Sequence, residues 1–125
     1  MALNDIKTSL NNALKIDGCL GAAFVDFESG MCLGTAGNPG FDLELAAAGN
    51  ANVVRSKKRI RIRDKLDLKD KIEDILISLT SQYHLIRMVG TTMFLYLVLD
   101  RQKSNLAMAR RELAAIEKDL DVRRQ

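Results

Sequence analysis

Met93-Phe94-Leu95-Tyr96-Leu97-Val98-Leu99, closed by Asp100-Arg101, is a run of large apolar residues without a charge. Read as a strand it is apolar at either parity, with Met93, Leu95, Leu97 and Leu99 on one side and Phe94, Tyr96 and Val98 on the other. Such a strand must be covered on both faces. The run is far shorter than the ~18 residues needed to cross a bilayer, so it reads as the central strand of a sheet with helices against it.

Outward from this strand, Ile72 to Thr80 and Tyr83 to Val89 precede it as two further strands, separated by Ser81-Gln82 and Gly90-Thr91-Thr92. Both links are short enough for hairpins, which makes the three strands an antiparallel meander. After it, Ser104-Asn105 opens a helix in which Leu106, Ala109, Leu113, Ile116 and Leu120 share a face. The tail from Asp121 to Gln125 is expected to fray.

The first half supplies the rest of the sheet. Leu3, Ile6, Leu10, Ala13 and Leu14 recur at helical spacing over about residues 3 to 15, and Asp17-Gly18 ends that helix. Cys19 to Phe27 is apolar at both parities, a second interior strand, with Gly21, Ala22 and Ala23 small enough for a helix to press close. Glu28-Ser29-Gly30 turns the chain into Met31 to Ala36, a weaker strand placed at an edge. Gly37-Asn38-Pro39-Gly40 is the densest turn signal, and Asp42 is a candidate N-cap for a second helix that begins at Leu43 and runs to about Asp64. Arg59-Ile60-Arg61-Ile62-Arg63 also alternates like an edge strand, but without a turn signal between Gly49 and Lys65 the helix is preferred.

The expected architecture is α+β, a five-stranded antiparallel sheet with helices on both faces in the order α-β-β-α-β-β-β-α. Cys19 to Phe27 and Met93 to Leu99 should be neighbours, with Met31 to Ala36 at one edge and Ile72 to Thr80 at the other. The 125 residues suit one domain over 1–125, with 47% hydrophobic and 28% charged residues. No leader-like start and no apolar anchor are visible, which implies a cytoplasmic protein.

The formal charge of +3 conceals an asymmetry. Between Arg55 and Lys71 stand nine basic residues and three acids, a local +6 that leaves −3 elsewhere. Such a run marks a partner surface more than a fold determinant, and Arg55, Lys58, Arg59, Arg61 and Arg63 are the candidate partner-binding residues.

Catalytic chemistry finds little footing. Glu73-Asp74 are consecutive, so on a strand they face opposite sides and solubilise its start. His84, the single histidine, has no Ser, Cys or metal partner at motif spacing and reads as a strand residue. Gly34, Gly37 and Gly40 precede no Lys-Ser or Lys-Thr pair, so they read as turn glycines rather than a phosphate loop. Asp26 is expected to bond the amides of its own turn. Cys19 and Cys32 fit no zinc pattern, and a hairpin about Glu28-Ser29 sets Cys32 opposite about Asp26, roughly 20 Å from Cys19 at ~3.4 Å per residue. Free thiols, no metal, no cofactor and no catalytic residues are expected.

Taken together, Ala23-Phe24-Val25-Asp26-Phe27-Glu28-Ser29-Gly30, Leu45-Ala46-Ala47-Ala48, and Leu99-Asp100 followed by Ser104-Asn105-Leu106-Ala107-Met108-Ala109-Arg110 resemble the roadblock / dynein light chain family in order and spacing. The resemblance covers the chain from the first helix through about Leu120. It implies a non-catalytic domain that forms homodimers or heterodimers and partners Ras-like small GTPases or motor complexes. It is similar in particular to bacterial single-domain regulators of small GTPases.

Two function classes follow. One is a dimeric signalling scaffold that binds a small GTPase. Its edge strand, with Ile75, Ile77 and Leu79, would pair with that of a second copy, and Ala47, Ala48 and Ala51 of the second helices would allow close approach. The other is a binder of nucleic acid or another acidic surface through residues 55 to 71. That run has no interleaved aromatics, which favours the scaffold.

Overall fold

The computed structural model describes residues 4–63 and 71–120, with the side chains of 58–63 outside that description. The elements are α1 (Ile6–Leu14), β1 (Cys19–Asp26), β2 (Met31–Gly37), α2 (Leu43–Arg63), β3 (Asp74–Ser78), β4 (Gln82–Val89), β5 (Met93–Asp100) and α3 (Leu106–Asp119). The four pairings between these strands are antiparallel and the sheet order is β2-β1-β5-β4-β3. The fold is the expected α+β order, with β1 beside β5 and with β2 and β3 at the edges.

Each helix starts where a short polar side chain takes up otherwise orphaned amides. Asp5 Oδ1 accepts from Thr8 N at 2.8 Å, Asp42 Oδ1 from Glu44 and Leu45 N at 3.0 and 3.2 Å, and Asn105 Oδ1 from Met108 N at 3.1 Å. Caps of this kind stabilise a helix by about 1 kcal/mol each. α2 is helical through Arg63, so the helix wins over an alternating strand at 59–63. The first helix begins at Ile6 rather than near Leu3, because Asp5 is its extended N-cap and Asn4 bridges Leu120. The end of the second helix at Asp64 and the tail from Asp121 lie outside the described residues.

The double parity of β5 divides the interior in two. Leu95, Leu97 and Leu99 pack with Ile6, Leu10 and Ala13 of α1 and Ala109 and Leu113 of α3. On the other face Phe94, Tyr96 and Val98 pack with Leu43, Ala47, Ala51 and Val54 of α2. Two chambers therefore lie back to back, with the sheet as the wall between them. From Phe94 to Leu99 every β5 side chain is at most 1% exposed, so truncating any of the large ones removes core volume at a cost of about 2–5 kcal/mol.

Four details depart from the pattern read in the sequence. β3 is shorter than 72–80, because Leu79 N–H already bonds Gln82 C=O at 2.8 Å to close the turn. A β-bulge shifts the β1–β2 register between Phe24, opposite Gly34, and Val25, opposite Cys32. Leu33 is the extra residue, and Cys32 accordingly faces Val25 rather than Asp26. Gly34 is not a turn glycine but lies inside β2, where a Cβ would stand 3.0 Å from Leu10 Cδ1, so it marks the close approach of α1. Gly37 does need its freedom, with φ at +83° and Leu20 O 2.7 Å from where a Cβ would be. Both cysteines are free thiols.

Candidate functional site

Among the described residues β3 has a neighbour on one side only. Leu79 N–H donates to Gln82 C=O and Met88 N–H to Glu73 C=O, so the odd-numbered residues of this strand turn their backbone groups toward β4. By alternation the N–H and C=O groups of Asp74, Leu76 and Ser78 point outward, along the open edge. The register from Asp74 to Ser78 is unbroken, with no bulge.

The side chains beside this edge are apolar. Leu76 packs into the α1/α3 chamber. Ile75 and Ile77 point to the α2 face, where they are half-buried at the margin of the second chamber together with Phe41 and Met88. α2 packs over β1 and β2, so this part of the β3–β4 face is a half-covered shelf. Leu79, just past the strand, is 42% exposed. From the opposite face Arg110 of α3 holds Asp74 with Nη2 at 3.0 Å and Nε at 3.2 Å, and Arg87 of β4 reaches Glu117 at 3.3 Å. Asp74 is therefore an anchor for α3 as well as a solubilising charge. Arg101 caps the β3–β4 turn, donating to Leu79 O at 2.8 Å with its guanidinium 4.7 Å from the Tyr83 ring centroid.

The three alanines expected at a helix contact divide between two faces of α2. Ala47 and Ala51 are fully buried against the sheet of this chain, so their side chains face inward rather than toward the outer surface of α2. Their phase follows from Leu43 and Val54, which belong to the same buried stripe. Ala48 is exposed on the outer face of α2 with Glu44 and Leu45, and Leu45 at 71% is the most exposed large apolar side chain among the described residues. Of the basic candidates, Arg55 is half-buried and donates to Phe27 O and Asn52 Oδ1. The side chains of Lys58, Arg59, Arg61 and Arg63 lie outside the described residues.

His84 is more than a strand residue. Its Nδ1 lies 2.9 Å from the Tyr96 hydroxyl, its Nε2 lies 2.9 Å from Gln82 Oε1, and Phe41 stacks on the ring at 5.8 Å. Tyr96 is also hydrogen-bonded to the buried Asn50 of α2, so a polar chain crosses from α2 through β5 to β4. Burial lowers the His84 pKa and pushes Tyr96 up to about 12. No motif spacing could have revealed this group, since its members come from four places in the chain.

Elsewhere the geometry offers little chemistry. Burial pushes the Cys19 thiol up to about 11 and raises Cys32 as well, which disfavours the nucleophilic thiolate of both. Asp26 Oδ1 accepts from Glu28 and Ser29 N at 3.0 and 3.3 Å, closing its own turn. Among the described residues no group of three or more His, Cys, Asp and Glu is placed to hold a metal ion, and no helix is long and apolar enough to cross a membrane. A groove of about 430 Å³ lies between α1 and β2, lined mainly by Ile6, Leu10, Leu14 and Leu33.

A five-stranded antiparallel sheet between one helix and a helix pair, with this strand order, is the Roadblock/LC7 fold. Among solved structures, MglB of Myxococcus xanthus superposes with a TM-score of 0.79 at 14% identity, over 90% of this chain and 81% of that one. A Roadblock/LC7 domain from Streptomyces avermitilis matches with 0.75 at 16% identity, over 92% and 93%. The gliding protein MglB of Thermus thermophilus matches with 0.66 at 16% identity, over 90% and 87%. No family model matches the sequence. No curated protein matches it either.

Proposed function

We propose that this protein is a non-catalytic scaffold that dimerises through β3 and, as a dimer, binds a Ras-like small GTPase. The observation that carries the proposal is the open β3 edge, regular in register, flanked by Ile75 and Ile77, and without a Pro, a Lys or a bulge to blunt it. Antiparallel pairing with a two-fold mate satisfies the outward groups of Asp74, Leu76 and Ser78 in both copies and joins two sheets into one of ten strands. The shelf of Phe41, Ile75, Ile77 and Met88 is then covered by the mate, with Leu79 at its rim. The fold shared with MglB and the absence of a nucleophile–base pair among the described residues support a binding role rather than turnover.

The outer face of α2, with Leu45 and Ala48, followed by the basic stretch with Arg55, Lys58, Arg59, Arg61 and Arg63, is the proposed docking surface for the GTPase. The exposed Leu45 supplies an apolar anchor and the cations supply steering. Sedimentation equilibrium at micromolar concentration tests the dimer, and a mass near the 13.9 kDa of one chain refutes it. Titration with Ras-like GTPases of the same cell, loaded with GDP or a non-hydrolysable GTP analogue, tests the partner. Leu45→Glu is expected to abolish that binding while the dimer mass stays unchanged.

A further inference from the structure

The polar chain on the shelf has a direction. Asn50 donates to the Tyr96 oxygen, the Tyr96 hydroxyl donates to Nδ1 of His84, and Nε2–H of His84 donates to Gln82 Oε1. The link from Tyr96 needs a bare Nδ1, as in the neutral imidazole. A second proton on Nδ1 would face the Tyr96 hydrogen, and the phenol would have to turn away, so the chain is built for the uncharged ring.

The position of this ring matters as much as its protonation. In the β3–β4 ladder His84 stands directly opposite Ile77, one strand in from the open edge and on the half-covered α2 face. The charged groups nearby have other work. Asp42 accepts the Glu44 and Leu45 amides, and Asp100, opposite Gln82 in the β4–β5 ladder, accepts the Gln102 amide at 2.9 Å. Ile77 of β3, Leu79 just beyond it, Val98 of β5, Phe41 and Asn50 carry no charge, and Tyr96 is neutral at any physiological pH. Among the described residues no carboxylate stands against the ring to compensate an imidazolium.

We propose that His84 makes self-association through β3 sensitive to pH, with the neutral ring favouring the paired state and its protonation opposing it. The proposal rests on the β3 dimer described above and adds its regulation. A mate laid over the shelf buries His84 further, and burial without a counter-charge disfavours the imidazolium. The dimer then binds fewer protons than two monomers. Association is complete above the monomer's His84 pKa, which burial already sets below the ordinary 6.5, and it weakens as pH falls through that value toward the lower pKa of the dimer. If pairing lowers the pKa by one further unit in each protomer, the dimer Kd rises by up to about 100-fold below both values, since each unit is a factor of ten.

Because the chain has one histidine, its imidazole Hε1 signal reports this titration directly in untagged protein. The experiment combines that NMR titration, at several protein concentrations, with sedimentation equilibrium between pH 7.5 and 5.0 at constant ionic strength. It includes His84→Gln, which keeps a polar partner for Tyr96 and does not titrate. The expected result is a Kd at least ten-fold weaker at pH 5.0, a His84 midpoint that falls as concentration rises, and a flat pH profile in His84→Gln. A dimer whose Kd ignores pH while His84 titrates overturns this inference and leaves the dimer standing. A pH dependence retained in His84→Gln overturns it too, by assigning the effect to other groups. A monomer at every pH overturns the β3 dimer itself, and this inference with it. Should His84→Gln fail to fold, the concentration dependence of the midpoint in the unmodified protein decides.

Discussion

The two edges of the sheet are built by opposite rules. β2 carries a bulge at Leu33, contains Gly34 and ends at Gly37, and is packed by α1 on one face and α2 on the other. β3 has an unbroken register, three consecutive large aliphatic residues and a half-covered face. A bulge twists an edge away from a passing strand, and a helix on each face leaves little room for a new one. β2 is thus a finished edge and β3 an unfinished one. Both are apolar in sequence, so hydrophobicity alone does not distinguish them; regularity does.

Proline tests the contrast most severely. Ile77→Pro removes an inward N–H that belongs to the ladder with β4, and should destabilise the fold by about 3 kcal/mol or more, seen as a collapse of the urea midpoint. Ser78→Pro removes an outward N–H from an exposed residue. It should leave the urea midpoint nearly unchanged and convert the dimer to monomer in sedimentation. If both variants behave alike, the inward and outward assignment of β3 is wrong.

Three further substitutions, two on β2 and one in a side chain at the start of β3, have smaller effects that concern stability only. Gly37→Ala forces a left-handed backbone on alanine and drives its Cβ toward Leu20 O, which should cost about 1–3 kcal/mol in chemical denaturation without altering the mass of the assembly. Asp74→Ala, which releases the partly exposed Arg110 fork at the start of β3, should cost no more than about 1 kcal/mol, shrinking further at high salt. Leu33→Lys, on the bulged residue, should stay within about 0.5 kcal/mol of the unmodified protein and leave association untouched. A loss of dimer in Leu33→Lys would move the pairing edge from β3 to β2.

Much of this was legible in the sequence because apolar parity is a direct record of burial. Met93 to Leu99, apolar on both sides, sits against two chambers, and the order of the strands follows from which runs share that property. The phase of α2 was also written, in Leu43, Ala47, Ala51 and Val54, but alanine is small enough to suit a sheet or a neighbouring helix equally. Nothing short of the contact separates the two. The bulge at Leu33 left no signal, since one extra residue in a weak strand changes no pattern. His84 was silent for another reason: Gln82 is its only partner close in sequence, and Phe41, Asn50 and Tyr96 meet it only when three elements have packed.

The wall between the two chambers has a consequence for how such a chain diverges. A substitution among Leu43, Ala47 or Val54 is felt by Phe94, Tyr96 and Val98, whereas Leu10, Leu97 and Leu113 are shielded from it by the sheet. Changes on opposite sides should then add nearly independently, while changes within one side should couple. After a gene duplication, if the proposed β3 pairing holds, the α2 side of one copy is free to drift toward a new mate while the α1/α3 side preserves the fold. Paralogues that prefer each other over themselves would arise by altering one chamber and leaving the other as it was.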